Sequence, residues 1–325
     1  MTNQIGIVFP GQGSQSVGML ADLALQYPVV RKTFDEASHV LQYDLWQLVQ
    51  QGPSESLDQT EQTQPALLAS GYAIWRILQS KYSVQVSLLA GHSLGEYTAL
   101  VCAEAMRFQD AISLVAHRGK WMQEAVPYGH GAMAAILGLD EESVASICKK
   151  ISFDKSSIVT PANINTAQQI VIAGVAEAVH AVIDAARMMG AKKTVLLPVS
   201  VPSHCLLMEP AAKKLSEMLT TISLQTPRIP VISNVDVKPY VDAAAIRDGL
   251  ARQLFMPVRW VETMQAFIQF GITQVIECGP GQVLAGLGKR VEHLTFMTTF
   301  DRSHLEVLDG VLPSASSSDS GDFIC

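Results

Sequence analysis

The chain has 325 residues, of which 48% are hydrophobic and 16% carry a formal charge. This length can bury a large core, and this composition excludes a disordered or fibrous protein. The formal net charge of −7 argues against nucleic acid as the main partner, because proteins that bind nucleic acids are usually basic.

The cysteines are scattered and form no CxxC pair: Cys102, Cys148, Cys205, Cys278 and Cys325. Neither a disulfide framework nor a zinc site is expected from them, and a reducing compartment fits best. The N-terminal residues lack the basic region of a secretory signal, and no apolar stretch has the length of a membrane span. We therefore expect a cytoplasmic protein that does not act on a membrane.

The first part of the chain alternates apolar runs with helical patterns. The runs at 5–9 and 87–90 predict buried strands, and each ends in a glycine-rich turn, at 11–15 and 91–95. The second turn leads directly into a helix predicted at 97–105. Strand, tight turn and helix in succession indicate a parallel α/β sheet.

The middle of the chain, from about 128 to 200, predicts an inserted small domain. Its elements follow in the order strand, helix, strand, strand, helix, strand, at 131–137, 141–150, 157–161, 169–173, 176–189 and 194–197. This is the order of the ferredoxin-like arrangement. The α/β pattern resumes after Pro202, with helices predicted at 206–221, 243–254 and 261–270 and strands at 230–234 and 274–278.

One turn has the pattern of a nucleophile elbow, since Gly91-His92-Ser93-Leu94-Gly95 matches G-x-S-x-G. Small flanking residues let the serine project from a strained turn at the positive end of the following helix. The backbone N–H of Leu94 can then face an oxyanion. An ordinary glycine-rich turn is the alternative, but the predicted strand before and helix after favour the elbow.

The glycine-rich turn at 11–15 leaves the first strand and could present the backbone N–H of Gln12 to an anion. It lacks the G-K-[ST] ending of a phosphate-binding P-loop. The alternative is a turn without a catalytic role, and this signal is weak when taken alone.

A serine nucleophile needs a base, and His204 is the best placed of the eight histidines. It lies in a loop between a predicted strand and a predicted helix, where α/β enzymes present catalytic groups. No acidic residue has an evident reason to lie behind it, so a backbone carbonyl could orient the ring instead. Arg118, in a mostly apolar helical run at 111–125, is either a solvent-facing residue or a bidentate clamp for a carboxylate.

Several motifs in the right order resemble the malonyl-CoA:acyl carrier protein transacylase family of bacterial fatty-acid synthesis. They are the segments 9–15, 91–97, 117–122, 163–165, 169–174, 200–204, 252–260 and 279–284. The resemblance covers about 5–300. One departure is Ala167-Gln168, where the family usually carries Pro-Gly, and only a local change of the loop is expected there.

The resemblance implies an α/β-hydrolase-like parallel-sheet domain formed by residues 1–127 and 201–310, with an inserted ferredoxin-like domain at 128–200. The segment 311–325 matches nothing in the family. Because it is rich in serine, we predict a mobile tail.

The resemblance also implies the catalytic roles. Ser93 would attack the thioester carbonyl, and His204 would take its proton and later activate the thiol of the carrier protein. The backbone N–H groups of Gln12 and Leu94 would form the oxyanion hole. Arg118 would hold the malonyl carboxylate.

Three further residues have implied positions around this site. The backbone carbonyl of Gln253 would orient the histidine, and Asn163 and Asn165 would face the cleft from the small domain. No metal and no cofactor are expected, since the coenzyme A thioester is itself the substrate. The expected partners are malonyl-CoA and, transiently, an acidic acyl carrier protein, and we expect a monomer.

Three other functions remain open at this level. An acyltransferase that serves a polyketide synthase would carry nearly the same motifs. A thioesterase on the same site is disfavoured by Arg118, because a hydrolase of neutral acyl chains gains nothing from a carboxylate clamp. A non-catalytic module that binds the carrier protein is disfavoured by the presence of both Ser93 and His204.

Overall fold

Two β-sheets of different character organise the chain, and the computed structural model describes residues 4–199 and 201–315 of it. The strands are β1 Gln4–Phe9, β2 Val86–Gly91, β3 Gly131–Leu137, β4 Val159–Thr166, β5 Gln169–Val175, β6 Lys193–Leu196, β7 Val231–Ile232, β8 Ile272–Glu277 and β9 Thr295–Thr298. The first sheet has the order β7-β2-β1-β8-β9, with parallel pairing throughout. The second has the order β4-β5-β3-β6, with antiparallel pairing throughout.

The helices connect these strands and cover the sheets. They are α1 Ala21–Gln26, α2 Pro28–Leu41, α3 Leu45–Gln51, α4 Ser54–Leu57, α5 Thr60–Lys81, α6 Gly95–Cys102, α7 Phe108–Ala125, α8 Glu141–Lys155, α9 Ala176–Met188, α10 Glu209–Leu219, α11 Ala243–Gln253, α12 Trp260–Gln269, α13 Val283–Gly288 and α14 Arg302–Leu308. A short 3-10 turn over Leu206–Met208 precedes α10.

The parallel sheet is apolar on both faces, as expected for strands covered by helices on each side. Along β1, Ile7 and Phe9 belong to the apolar cluster on one face, while Val8 belongs to the cluster on the other. Because successive side chains of a strand point to opposite faces, this near-continuous apolar run is what a doubly covered strand requires.

The register of the parallel sheet brings two loops together. Phe9 at the end of β1 pairs with Gly91 at the end of β2, so the loops that follow leave the sheet at the same edge. Gly11 lies so close to this second loop that a Cβ on it would stand 2.5 Å from the carbonyl oxygen of His92. In parallel α/β sheets, the carboxyl edge is where binding and catalytic groups converge.

The antiparallel sheet packs differently on its two faces. One face, with Ala134 and Ile136, forms a core with the apolar sides of α8 and α9. The other face, with Met133 and Ala173, packs against Cys205 next to the histidine loop. This second sheet therefore forms one wall of the cleft at the edge of the parallel sheet.

The predicted fold class is confirmed: a parallel sheet covered by helices is interrupted by an antiparallel unit with the strand order of the ferredoxin-like arrangement. The prediction placed β4 too early, at 157–161, whereas β4 runs over Val159–Thr166. Its pairing with β5 shifts register twice, and such irregularities break the apolar alternation by which a strand is recognised. The sequence patterns did not predict α3, α4, β9 or α14.

The exact domain limits stay a prediction. Of the predicted tail at 311–325, residues 311–315 pack on the unit that contains the parallel sheet. Leu312 is buried there, and Ser314 forms a β-bridge with Tyr82. Residues 316–325 lie outside the described part of the chain.

Two features are absent from residues 4–199 and 201–315. No helix there has the length and apolarity to cross a membrane. No group of three His, Cys, Asp or Glu side chains there is arranged to hold a metal ion.

The elbow glycines give a test of the fold. A Cβ at Gly91 would stand 1.8 Å from the carbonyl carbon of Gly95, so we expect Gly91→Ala to cost about 3 kcal/mol or more of unfolding free energy, or to prevent folding. Gly286→Ala in α13 is the control, because a Cβ there meets nothing within 4 Å. Urea unfolding followed by circular dichroism measures both, and equal stabilities would contradict the packing described.

Candidate active site

Ser93 occupies a strained turn between β2 and α6. Its φ of 51° lies in the left-handed region, which a non-glycine residue adopts only where its surroundings hold it. Asn234, in the loop after β7, supplies part of that support. Its side-chain Nδ2 donates to the carbonyl of Gly91 at 2.7 Å, and its Oδ1 accepts from the backbone N–H of Ser93 at 2.8 Å.

The hydroxyl of Ser93 lies 2.8 Å from Nε2 of His204. The other ring nitrogen, Nδ1, lies 2.7 Å from the backbone carbonyl of Gln253. Since a carbonyl only accepts, Nδ1 carries the proton and Nε2 is left to accept from the serine. The structure thus brings Ser93 and His204 together and places Gln253 behind the histidine, without a carboxylate in that position.

The end of α11 holds His204 in two ways. Besides the Nδ1 contact, the backbone N–H of His204 donates to the carbonyl of Leu254 at 2.9 Å. The last carbonyls of a helix have no partner within the helix and carry its partial negative charge. They can therefore orient the neutral imidazole and stabilise the imidazolium that forms when it takes a proton.

Burial lowers the pKa of His204 to about 3, and the nearby positive charge of Arg118 adds to this effect. Both causes disfavour the protonated ring. The imidazole is therefore neutral, and able to accept a proton, across the range in which ordinary histidines titrate.

Arg118 lies in the same cleft, almost fully buried at 1% exposure. Its Nη1 donates to Oε1 of Gln64 at 2.8 Å, its Nη2 donates to Oε1 of Gln253 at 2.9 Å, and Nη2 lies 3.4 Å from the Ser93 hydroxyl. Within the described residues, no carboxylate forms an ion pair with this guanidinium. Burying a cation without a counter-ion is costly, so such a group marks a place where an anion binds.

Close packing of two helices accounts for this position of Arg118. At Gly119 on α7, a Cβ would stand 2.6 Å from the Cα of Glu61 on α5. The glycine therefore lets the two backbones approach until Gln64 reaches the guanidinium. Beneath it, the ring of Tyr97 lies 5.2 Å from Cζ, which adds a cation–π contact.

The loops after β1 and β2 present two backbone N–H groups near the serine, those of Gln12 and Leu94. Neither has a hydrogen-bond acceptor among the described residues, and both residues line the cleft. Two free donors beside an activated hydroxyl can stabilise the oxyanion of a tetrahedral intermediate.

The cleft itself is a cavity of about 480 Å³ between the parallel-sheet unit and the antiparallel unit. Asn163 lines it, together with apolar residues of the second unit such as Met133 and Leu197. Asn165 instead lies against His92, with its Oδ1 2.9 Å from Nε2 of that ring. Of the two asparagines, Asn163 therefore lines this cavity, while Asn165 contacts the elbow and lines a second cavity.

Sequence reasoning missed three polar residues that complete this site, namely Gln64, Glu96 and Asn234. Glu96 was visible in the extended elbow motif, but nothing in the sequence says that its carboxylate points inward. Gln64 and Asn234 lie outside any motif and act through side-chain hydrogen bonds that only the packed structure defines.

A serine–histidine pair on an elbow, beside a buried guanidinium, is suited to acyl transfer. Similarity to known proteins also indicates an acyltransferase. The model of the acyl transferase domain family matches residues 7–294. This match covers most of the chain, including every residue of the site described above.

Individual relatives narrow the class. The chain is 54% identical to the malonyl CoA-acyl carrier protein transacylase of Salmonella typhimurium over 288 residues, 89% of this chain and 93% of the relative. It resembles the solved transacylase of Coxiella burnetii with a TM-score of 0.93, at 48% identity, covering 95% of this chain and 98% of that one. It also resembles a structure solved for a type II PKS acyl-carrier protein in complex with its malonyl-transacylase, with a TM-score of 0.92, 54% identity, and coverage of 94% and 98%.

The chain therefore belongs to the malonyl CoA-acyl carrier protein transacylase family.

The geometry of the serine–histidine pair predicts reactivity towards a fluorophosphonate probe. We expect labelling of Ser93 to fall by about 10²–10⁴-fold in His204→Ala, the contribution typical of a general base. His180→Ala, on the exposed side of α9, is the matched control and should label like the wild type. Intact-protein mass spectrometry measures both rates.

The pH dependence of the same labelling tests the lowered pKa. Because the pKa of His204 falls to about 3, the basic form persists as the pH is lowered from 7.5 to 5.5. The labelling rate should then change by less than about twofold, whereas a histidine with an ordinary pKa near 6.5 would lose about tenfold. A tenfold loss would show that the ring titrates normally.

Proposed function

We propose that this protein transfers the malonyl group of malonyl-CoA to the phosphopantetheine thiol of an acyl carrier protein, through a malonyl ester on Ser93. The single observation that carries this proposal is the buried guanidinium of Arg118, without a counter-ion, 3.4 Å from the Ser93 hydroxyl. The names of the relatives support the same donor and acceptor.

In the first half-reaction, Nε2 of His204 takes the proton of the Ser93 hydroxyl while Oγ attacks the thioester carbonyl. The oxyanion that forms accepts hydrogen bonds from the backbone N–H groups of Gln12 and Leu94. When the tetrahedral intermediate collapses, the carbon–sulfur bond breaks, and the departing coenzyme A sulfur takes the proton from His204. The malonyl group is left as an ester on Ser93.

The second half-reaction uses the same groups in reverse. His204 takes the proton of the carrier-protein thiol, and the sulfur attacks the ester carbonyl. The Ser93 oxygen then leaves with the proton from His204, and malonyl carrier protein is released. One base with a neutral resting state thus serves both halves. Because the malonyl ester forms and coenzyme A leaves before the carrier protein reacts, the kinetics are ping-pong.

Arg118 supplies the preference for a malonyl group. The free carboxylate at the far end of the acyl group neutralises the guanidinium through charge-assisted hydrogen bonds. An acetyl group leaves the buried cation unpaired, so it gains no such stabilisation. A hydrolase of neutral acyl chains would have no use for this residue, which disfavours the thioesterase alternative.

The acidic carrier protein needs a local basic surface on a chain whose formal net charge is −7. Lys289 and Arg290 are exposed at the end of α13. Arg290 also lines a second cavity between the two units, of about 570 Å³, together with Lys192 and Lys193. No ion pair engages these cations within the described residues. We propose that Lys289 and Arg290 dock the carrier protein.

We place the reaction in fatty-acid synthesis, as the family resemblance implies, and in the cytoplasm. The alternative is a polyketide pathway, because one of the similar structures contains a type II PKS acyl-carrier protein. Transfer rates to carrier proteins of the two kinds, compared at equal concentration, would separate these pathways.

Replacement of Arg118 tests the preference for malonyl. We expect Arg118→Ala to lower the rate of malonyl-Ser93 formation by about 30–1000-fold, since two charge-assisted hydrogen bonds contribute roughly 2–4 kcal/mol. Acetylation of Ser93 from acetyl-CoA should fall by less than about tenfold. Intact mass after rapid mixing with each thioester gives both rates.

The matched control for this experiment is Arg107→Ala. Arg107 precedes the same helix but is exposed and paired with Asp110, so neither rate should change. Equal losses for malonyl and acetyl in Arg118→Ala would show that Arg118 is structural only.

Charge reversal tests the docking surface. We expect Lys289→Glu with Arg290→Glu to raise the KM for the carrier protein about tenfold or more at low salt, while the KM for malonyl-CoA changes little, because the new charges repel an acidic partner. Lys149→Glu with Lys150→Glu reverses an equally exposed pair on α8 and serves as the control. An unchanged carrier-protein KM, or the same increase in both variants, would refute the docking surface.

A further inference from the structure

Glu96, the second residue of α6, is a carboxylate with 0% exposure directly beneath the cleft. Its Oε1 accepts from the hydroxyl of Tyr240 at 2.6 Å and from the backbone N–H of Asn234 at 3.1 Å. Its Oε2 accepts from Nε2 of Gln253 at 2.5 Å. No Lys or Arg pairs with it within the described residues, so uncharged donors satisfy this carboxylate.

The carboxylate of Glu96 fixes the side-chain amide of Gln253. Two acceptors, Oε2 of Glu96 and the backbone carbonyl of Ser93, face Nε2 of this amide. Its Oε1 must then point the other way, where it accepts from Nη2 of Arg118 at 2.9 Å. A flipped amide would set an NH₂ group against the guanidinium, donor against donor, and an oxygen against two acceptors.

The orientation of Gln253 matters for the clamp because the two glutamines, Gln64 and Gln253, hold the two Nη nitrogens of Arg118. A guanidinium recognises a carboxylate through a planar fork whose direction is set by such contacts. Losing one of them leaves a long side chain free to turn away from the acyl group.

We propose that Glu96 is a positioning residue for malonyl recognition: through the amide of Gln253, it holds the guanidinium of Arg118 in the direction that receives the substrate carboxylate. This inference rests on the proposed function, and it adds a determinant of specificity that never touches the substrate. The negative charge of Glu96 also offsets part of the cost of burying Arg118.

The protonation state of Glu96 fits this role under ordinary assay conditions. Burial raises its pKa to about 7, against the lowering effects of Tyr240, Gln253, Asn234 and Arg118. The ionised form is therefore the major one above this value. At pH 8, both Glu96 oxygens are acceptors, as the three contacts require.

Glu96→Gln changes only one oxygen to an amine, and neither orientation of the new amide satisfies its surroundings. If the NH₂ group faces Gln253, that amide flips and presents its own NH₂ to Arg118. If it faces the other way, it meets the backbone N–H of Asn234, whose side chain supports Ser93. The first orientation damages malonyl recognition, and the second disturbs the elbow that all acyl donors use.

The test compares kcat/KM for malonyl-CoA and acetyl-CoA at pH 8 in wild type and Glu96→Gln. We expect the ratio of malonyl to acetyl to fall about tenfold or more in the variant, mainly through a higher KM for malonyl-CoA. Acetyl transfer should stay within about fivefold of wild type.

Tyr240→Phe is the matched control, because it removes a buried hydrogen bond from the same carboxylate but leaves the bond to Gln253 in place. Its ratio should stay within about twofold of wild type. An unchanged ratio in a Glu96→Gln variant that keeps acetyl transfer within about fivefold of wild type, or an equal fall in Tyr240→Phe, would overturn the inference, since a merely structural role predicts one of these results.

A second variant covers the case in which Glu96→Gln does not fold, as judged by circular dichroism, or loses acetyl transfer as well because the elbow is disturbed. Glu96→Asp keeps the charge but withdraws the carboxylate from Gln253 by one methylene, and we expect the ratio to fall in the same direction. A folded Glu96→Asp with the wild-type ratio would overturn the inference. If the wild type itself shows no preference for malonyl, the proposed function fails, whereas a wild-type preference that survives both variants refutes the role of Glu96 alone.

Discussion

The C-terminal end of α11 is the constraint on which the cleft depends, because Gln253 contacts the serine, the histidine and the arginine of the proposed mechanism. Its backbone carbonyl holds Nδ1 of His204, its Oε1 holds the guanidinium of Arg118, and its Nε2 holds the backbone of Ser93. A carboxylate behind the histidine could pair directly with Arg118 and compete with the carboxylate of the substrate. Glu96 does not compete in this way, because the amide of Gln253 separates it from the guanidinium. A carbonyl orients the ring without that competition, so base and clamp can share one small cavity.

This arrangement requires the loops after β1 and β2 to pack in direct contact, and the glycines of the elbow make that possible. A Cβ at Gly95 would stand 2.0 Å from the carbonyl oxygen of Phe9, so the start of α6 lies directly against the end of β1. The strained backbone of Ser93, with φ of 51°, is held by this packing and by Asn234, whereas that of His204, with φ of 63°, is held by its hydrogen bonds to Gln253 and Leu254 at the end of α11.

The sequence predicted those parts of the site that depend on local chemistry. The elbow around Ser93 has a fixed spacing, and the loop of His204 follows a recognisable strand, so both could be located from residue types alone. The burial of Arg118 could not be predicted, because a helical arginine usually faces solvent. Only the close approach of α7 to α5 at Gly119 determines that this arginine is buried. Glu96 stands in the elbow motif, but nothing local shows that its carboxylate points inward. Gln64 and Asn234 carry no local signal, since each acts through a side-chain hydrogen bond to a residue more than 50 positions away.

The insertion of the antiparallel unit explains how such a site can favour transfer over hydrolysis. Met133 and Leu197 line the cavity with apolar atoms, beside the polar side chain of Asn163, and apolar atoms do not bind or orient a water molecule. The hydrogen bond between Asn165 and His92 connects this wall to the elbow. In the proposed mechanism, an ester on Ser93 lies between this wall and the guanidinium of Arg118, both of which line the same cavity. A long, flexible phosphopantetheine arm can enter such a cavity and bring its thiol to Nε2 of His204, which lies 2.8 Å from the Ser93 hydroxyl.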